Sequence, residues 1–127
     1  MKYIYKCVLI AIFVGALCGC NFEAPEITSA SYVEFSGGSP GPKIELSNQQ
    51  VQALSGWLFE HRSGWSRSMV TYSPRILIAI NQKDGELSSI DLWPNTINYY
   101  GPSGQYQKTL TDAEALVVFK MIGVERK

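Results

Sequence analysis

The stretch that decides the fold is RILIAINQKDGELSSIDLW, residues 75–93. Isoleucine recurs at alternate positions from 76 to 80, which is the period of a β-strand with one deeply buried face. Asp84-Gly85 then predicts a tight primed turn, because both central residues of such a turn need positive φ. The apolar positions of Leu87–Trp93 supply the return strand, so this stretch predicts an antiparallel hairpin.

A second hairpin is expected directly after the first. Thr96–Tyr100 and Gln105–Leu110 carry strand-favouring residues, and the turn Gly101–Gly104 separates them. Together the two hairpins predict a four-stranded antiparallel meander.

Two helices flank this meander in the sequence. Ser47 with Gln50, and Thr111 with Glu114, have the spacing of a capping box, in which each side chain bonds the other's backbone amide. We expect helices over residues 47–64 and 111–123, each ended by a glycine. Apolar residues at helical spacing, Val51, Leu54 and Leu58 in the first helix, give each helix one buried face.

Two further strands precede the first helix. Ile27–Phe35 alternates, the breaker Ser36–Pro42 follows, and Lys43–Leu46 reads as a short second strand. The predicted fold class is therefore α+β, with the order β-β-α-β-β-β-β-α. Residues 27–127 form one small domain, in which two helices pack on one side of an antiparallel sheet.

The N-terminal segment has a different character. Lys2 and Lys6 give it a basic start, and Cys7–Leu17 is almost wholly apolar. This is the pattern of a signal peptide over residues 1–19. The apolar run is shorter than the roughly 20 residues that a membrane-spanning helix needs.

Leu17-Cys18-Gly19-Cys20 resembles the lipobox of bacterial lipoproteins. The resemblance covers residues 1–20 and implies cleavage before Cys20, acylation of its thiol, and often a further acyl chain such as palmitate on the new amine. Two or more acyl chains give a stable membrane anchor. Asn21 is not the aspartate that tends to retain enterobacterial lipoproteins in the inner membrane, so we expect the outer membrane, facing the periplasm. Residues 20–26 would then be the lipidated end and a short tether.

An ordinary secretory signal or a buried hydrophobic helix remains the alternative for this pattern. The composition of the remaining chain limits its partners. Without Lys2 and Lys6 it carries nine basic and eleven acidic side chains, a balance that argues against a nucleic-acid partner. Its one cysteine is Cys20, so the domain has no disulfide and depends on its core.

Residues for catalysis or metal binding are sparse. His61 is the only histidine, and Ser66 lies in Gly64-Trp65-Ser66-Arg67-Ser68, which lacks the second glycine of a nucleophile elbow. One histidine and no free cysteine do not make a recognisable metal site. No glycine-rich loop follows a strand and opens a helix, so the sequence predicts no cofactor.

Aromatic residues are the positive signal. Trp and Tyr near Arg are the side chains that protein-binding hot spots use, and the same rings can stack on sugar. Tyr99-Tyr100 places one ring on each face of a strand. The alternative is that the rings fill the core. The candidate partner-binding residues are Trp65, Arg67, Tyr72, Trp93, Tyr99 and Tyr100.

Three functions follow in order. The first is a non-catalytic protein-binding module, similar to an inhibitor or immunity protein or to an accessory subunit of an envelope complex. The second is a lipoprotein that binds peptidoglycan or another glycan, and the third is a hydrolase. A flat patch of aromatic residues and arginine would favour the first. A groove with a tryptophan face and surrounding amides would favour glycan binding. His61 in a cleft beside a serine or carboxylate would favour a hydrolase.

Overall fold

A computed structural model describes residues 22–68 and 75–126. Cys20 and Tyr72 lie outside the described residues. The strands are β1 (Ile27–Ser36), β2 (Ser39–Pro40), β3 (Ile44–Glu45), β4 (Ser66–Arg67), β5 (Ile76–Gln82), β6 (Leu87–Trp93), β7 (Thr96–Gly101) and β8 (Gly104–Thr109). The helices are α1 (Asn48–Glu60) and α2 (Asp112–Ile122).

The strands form one antiparallel sheet in the order β2-β1-β5-β6-β7-β8-β4, with β3 also paired to β1. The predicted meander is its centre, and the predicted α+β class is confirmed. The sheet has eight strands rather than six, because β2 and β4 were not expected. Each of these has two residues, which is too short to show a period in the sequence.

One face of the sheet builds the core. The cross-strand row Tyr32, Ile78, Ile90, Tyr99 and Tyr106 runs from β1 to β8 on this face. Both helices add their buried side chains to the same cluster, so they cover this side of the sheet. The helical members are Val51, Leu54, Trp57, Leu58, Ala115, Val118, Phe119 and Ile122.

Both predicted capping boxes are present. Gln50 N donates to Ser47 Oγ over 3.1 Å, and Glu114 N donates to Thr111 Oγ1 over the same distance. α2 ends at Gly123, whose left-handed φ of 79° suits a residue without a Cβ. Neither helix of the described residues is long and apolar enough to cross a membrane.

Helix α1 ends earlier than predicted. We expected it to run to Gly64, but its last residue is Glu60 and His61 is the C-cap. The backbone amide of His61 donates to the Trp57 carbonyl, and His61 Nδ1 lies 2.9 Å from the same oxygen. The imidazole thus competes with the helix for a terminal carbonyl.

Residues 22–26 pack against the domain rather than extending from it as a tether. Phe22 is only 2% exposed, and its ring centroid lies 4.1 Å from that of Trp65. Lys83 N donates to the Glu26 carbonyl over 2.9 Å. The apolar ring of Phe22 fills the core end that Tyr99 and Trp65 leave open, and this long-range contact has no local sequence signal.

Candidate functional site

The second face of the sheet points away from α1 and α2, and we call it the helix-free face because neither helix of the described residues covers it. It is defined by the cross-strand row Leu77, Asp91, Asn98, Gln107 and Ser66, which runs from β5 to β4. Because side chains alternate along a strand, Trp93 lies on this face with Asp91, and Tyr100 lies there with Asn98. The face is therefore polar along its middle and aromatic beside it.

Asn98 is the most unusual residue of this row. Its side chain is 0% exposed, and neither its Oδ1 nor its Nδ2 has a hydrogen-bond partner within residues 22–68 and 75–126. Buried polar atoms are normally paired, and each unpaired one costs about 1–3 kcal/mol. Two hydrogen-bonding atoms therefore lie without a partner among the described residues, at the centre of the sheet.

Asp91 lies next to Asn98 on the neighbouring strand. It is 5% exposed. Burial raises the pKa of its carboxyl above the ordinary value, and a hydrogen bond from Tyr100 partly opposes this effect on the pKa. No salt bridge among the described residues neutralises Asp91.

A groove of about 390 Å³ opens beside these residues, where β6 turns into β7. Within residues 22–68 and 75–126, its lining combines one tryptophan with three carboxamides and carries no charged side chain. The lining residues are Trp93, Pro94, Asn95, Thr96, Asn98 and Gln107. The Asn95 amide is already paired with Arg126 and Asp112, so the groove offers a ligand the indole ring and the amides of Asn98 and Gln107. This combination suits an uncharged polar ligand with an apolar surface.

A hydrogen-bond network that involves Arg126 and Asp112 holds the rim of the groove in place. Arg126 Nη2 donates to Asn95 Oδ1 over 2.8 Å, and Arg126 Nε donates to the Pro94 carbonyl over 3.0 Å. Asn95 Nδ2 in turn donates to Asp112 Oδ1 over 2.9 Å. The hydrogen bond from Asn95, followed by those from Arg126, holds the pKa of Asp112 below its usual range. This network fixes the turn between β6 and β7.

Two of the predicted partner-binding residues belong to the core instead. Trp65 is buried, and its Nε1 donates to the His61 carbonyl. Tyr99 is buried on the helix side, where its hydroxyl accepts from Gln82 Nε2 over 2.8 Å. A Cβ at Gly101 would lie 2.5 Å from the Tyr99 ring, so only glycine allows this ring to lie against the strand. These two rings are not available to a surface ligand.

The other predicted residues divide between two places. Trp93 and Tyr100 lie together on the helix-free face, and Tyr99-Tyr100 does place one ring on each face. Arg67 is exposed at the β4 edge, where its guanidinium carbon lies 5.1 Å from the centroid of the Tyr106 ring, on the core side of the sheet. Tyr72 lies outside the described residues. The six residues therefore do not form one contiguous patch.

Asn98 and Gln107 were not predicted. Both are polar residues inside strands that were predicted correctly, and the strand register brings them side by side. The sequence signal for them was weak, because polar residues on one face of a strand usually contact water. Only burial, which depends on the whole fold, distinguishes Asn98 from an ordinary solvent-facing residue.

His61 does not lie in a catalytic arrangement. Its ring stacks on Trp57, with centroids 4.2 Å apart, and Nε2 lies 3.8 Å from Glu114 Oε2. Within residues 22–68 and 75–126 no hydrogen bond joins His61 to a serine, and neither the groove nor the cleft described below includes it. In this part of the chain, no three histidine, cysteine or carboxylate side chains come together to hold a metal ion. His61 acts as a cap between two helices.

The helical side carries exposed apolar residues. Phe59 is 60% exposed, and the guanidinium carbon of Arg62 lies 4.3 Å from the centroid of its ring. Leu116 and Val117 on α2 are also exposed. An arginine over an aromatic ring, with aliphatic side chains on the partner helix, has the composition of a protein-contacting surface.

A second cleft, of about 500 Å³, lies at the opposite end of the sheet from the groove. The N-terminal segment Glu23–Glu26 lines it together with the β5–β6 turn and the β7–β8 turn. Lys83 Nζ bridges to Glu26 Oε2 over 3.7 Å. The cleft is a seam between the N-terminal segment and two turns, and it shows where the chain enters the domain.

Comparisons with known proteins returned no relative. No family model, no curated protein and no solved structure matches the chain. The chemistry of the groove and of the helix-free face is therefore the basis for a functional proposal.

Proposed function

We propose that the protein is a lipid-anchored, non-catalytic protein of the cell envelope that binds a glycan in the groove beside Trp93. One observation carries this proposal: among the described residues, the groove lining combines a tryptophan with carboxamides and has no charged side chain. A sugar ring presents an apolar face of C–H groups and a rim of hydroxyls. An indole can stack on the face, while amides can donate to and accept from the hydroxyls.

The anchor is part of the same proposal. The basic start, the apolar run and the lipobox at Leu17–Cys20 support acylation of Cys20. Placement in the outer membrane, facing the periplasm, would put the groove close to peptidoglycan, which is the glycan we expect.

A non-catalytic role agrees with the placement of the titratable groups. Glycoside hydrolysis needs two carboxyl groups on opposite sides of the scissile bond. The described lining of the groove has no carboxyl group, and Asp91 lies outside that lining, next to Asn98 in the cross-strand row. His61, the one residue considered for a hydrolase, caps α1 on the other side of the sheet.

A second candidate function is binding of a partner protein, which the sequence ranked first. The exposed Phe59 with Arg62 over its ring favours it, as do Leu116 and Val117 on the neighbouring helix. This surface lies on the helical side, so the two candidate functions use different residues and can be separated by mutation.

The test uses the full chain purified in detergent. Co-sedimentation with isolated peptidoglycan sacculi measures glycan binding, and affinity capture from envelope extracts, read by mass spectrometry, measures protein partners. Trp93→Ala and Phe59→Ala serve as reciprocal controls, and the thermal unfolding midpoint of each variant verifies that it folds.

We expect the parent and Phe59→Ala to sediment with sacculi and Trp93→Ala to stay in solution. A single protein captured by the parent and Trp93→Ala but lost with Phe59→Ala would instead establish the partner-protein function. Sedimentation of all three variants alike would refute a specific site in the groove.

A further inference from the structure

The geometry points to a specific chemical group that the groove recognises: the N-acetyl group of an amino sugar, bound by the Asn98 carboxamide. This inference rests on the proposed glycan function and adds to it. A groove with an aromatic wall accepts many sugars, whereas the atoms of Asn98 define what a preferred sugar carries.

The first step is the pairing pattern that Asn98 leaves open. Its Oδ1 accepts and its Nδ2 donates, and both are unpaired within the described residues. In the trans form of a secondary amide the C=O and the N–H point in opposite directions, so the C=O can accept from Asn98 Nδ2 while the N–H is directed away from Asn98, toward a second acceptor. A single hydroxyl has its donor and its acceptors on one oxygen and cannot span two separated partners in this way.

The second step is charge. No described residue of the groove lining has a cationic side chain, and the buried Asp91 lies in the strand row next to Asn98. A carboxylate or phosphate ligand would be desolvated there without a positive partner, which disfavours it. An N-acetyl group is neutral and brings a methyl group that can contact Trp93 or Pro94.

The third step is access. Asn98 is fully buried, and Gln107 is its cross-strand neighbour on the same face. No hydrogen bond among the described residues holds the Gln107 side chain, which is half-buried at the groove. The inference requires Gln107 to turn about its side-chain bonds and open the Asn98 amide to the groove, where the Gln107 amide is then a second partner for the sugar.

Two trisaccharides with the same β-1,4 linkage provide a matched test. Chitotriose carries an N-acetyl group at C2 of every ring, whereas cellotriose carries a hydroxyl there. Isothermal titration calorimetry on the full chain in detergent compares them, with Asn98→Leu as the variant that removes the amide at similar volume. Trialanine, which carries secondary amides without a sugar, is the third probe.

We expect the parent to bind chitotriose at least tenfold more tightly than cellotriose. Asn98→Leu should lose this preference and bind both sugars with the weaker affinity, because the Trp93 wall remains. Equal binding of the two sugars by the parent would overturn the role of Asn98 while leaving the glycan function standing. Binding of trialanine in place of chitotriose would assign the amide to a polypeptide and overturn the inference. Binding of neither sugar, together with no sedimentation on sacculi, would remove the proposed function itself.

Discussion

At the scale of single residues, the helix-free face holds a carboxylate where an apolar side chain would be expected from its burial. Asp91 is almost fully buried, and its hydrogen bond from Tyr100 only partly offsets the loss of water. The negative charge of Asp91 therefore destabilises the folded state. Replacing this residue tests whether the face is packed as described.

Asp91→Asn is expected to raise the thermal unfolding midpoint at pH 7. Burial raises the folded-state pKa of Asp91, so the folded protein holds this proton more tightly than the unfolded chain does. The destabilisation by the Asp91 charge is absent below the pKa of this residue in the unfolded chain, about 3.9. It grows as pH rises from there through the pKa of Asp91 in the folded protein. The asparagine removes the charge and can still accept from Tyr100.

Differential scanning calorimetry of parent and variant from about pH 3.5 to 8 checks this expectation. The two midpoints should nearly coincide at the acid end and separate as pH rises. A variant that is less stable than the parent at pH 7 would show that the carboxylate is stabilised by its surroundings.

At the scale of elements, α1 is the helix whose packing is most directly testable. Leu58 is fully buried between the helix and the sheet, and it faces the same cluster as Val118 and Phe119 of α2. Its leucine side chain cannot be removed without leaving a cavity that neighbours fill only in part.

Leu58→Ala should lower the free energy of unfolding by about 2–5 kcal/mol. Leu116→Ala is the matched control, since Leu116 is 57% exposed on α2 and its truncation should change stability by no more than about 0.5 kcal/mol. Denaturant titration followed by tryptophan fluorescence measures both. Equal effects of the two substitutions would mean that α1 does not pack as described.

Local signals account for the elements that could be predicted from the sequence. The Asp84-Gly85 turn, both capping boxes and the Gly123 terminus act over three or four residues, so a short window contains all the physics involved. β2 and β4 have two residues each and are held only by their partner strands. Two residues cannot show an alternating pattern, so β2 and β4 could not be predicted from the sequence.

Predicting the site required long-range information. Trp65 follows a glycine and looks like a loop residue, yet the ring of Phe22, more than forty positions away, packs on it. Strand alternation predicts that Tyr99 and Tyr100 lie on opposite faces, and the structure places Tyr99 on the core face and Tyr100 on the other. Asn98 escaped prediction, since its significance comes from being buried without a partner.

At the scale of the whole molecule, the N-terminal segment brings the core to within two positions of the proposed anchor residue in the sequence. One residue, Asn21, separates Cys20 from Phe22 in the sequence. The Phe22 ring contacts Trp65, Tyr99 and Tyr106, with centroid distances of 4.1, 5.4 and 5.9 Å. Phe22 therefore contributes to the stability of the domain and, if Cys20 is acylated, would also fix how the domain is attached.

Two substitutions in this segment should differ in their effect on stability, with one leaving it unchanged and the other lowering it. Cys20→Ser removes the proposed acylation site and should leave the thermal midpoint of the domain unchanged, because the proposed acyl chains would lie in the membrane and not in the core. Phe22→Ala should lower the free energy of unfolding by about 3–5 kcal/mol, the usual cost of deleting a buried aromatic ring.

Circular dichroism melts of the two variants beside the parent measure this contrast. A large loss of stability in Cys20→Ser would indicate that the lipid supports the fold. An unchanged midpoint in Phe22→Ala would remove Phe22 from the core.

The direction of β6 has a consequence for what the groove can reach. β6 starts beside the turn that Glu26 contacts and ends at Trp93, and its seven residues span about 23 Å at roughly 3.3 Å per residue. With Cys20 acylated, the entry of the chain lies at the bilayer and the groove lies at the far end of the sheet. Because only one residue separates Cys20 from the packed Phe22, the domain would hold a fixed orientation on the membrane with its binding site on the side away from the bilayer. A domain held in this way could not swing laterally to reach a ligand. It would sample only the layer of cell wall directly above its own lipid, so its lateral diffusion in the membrane would set how fast it finds a ligand.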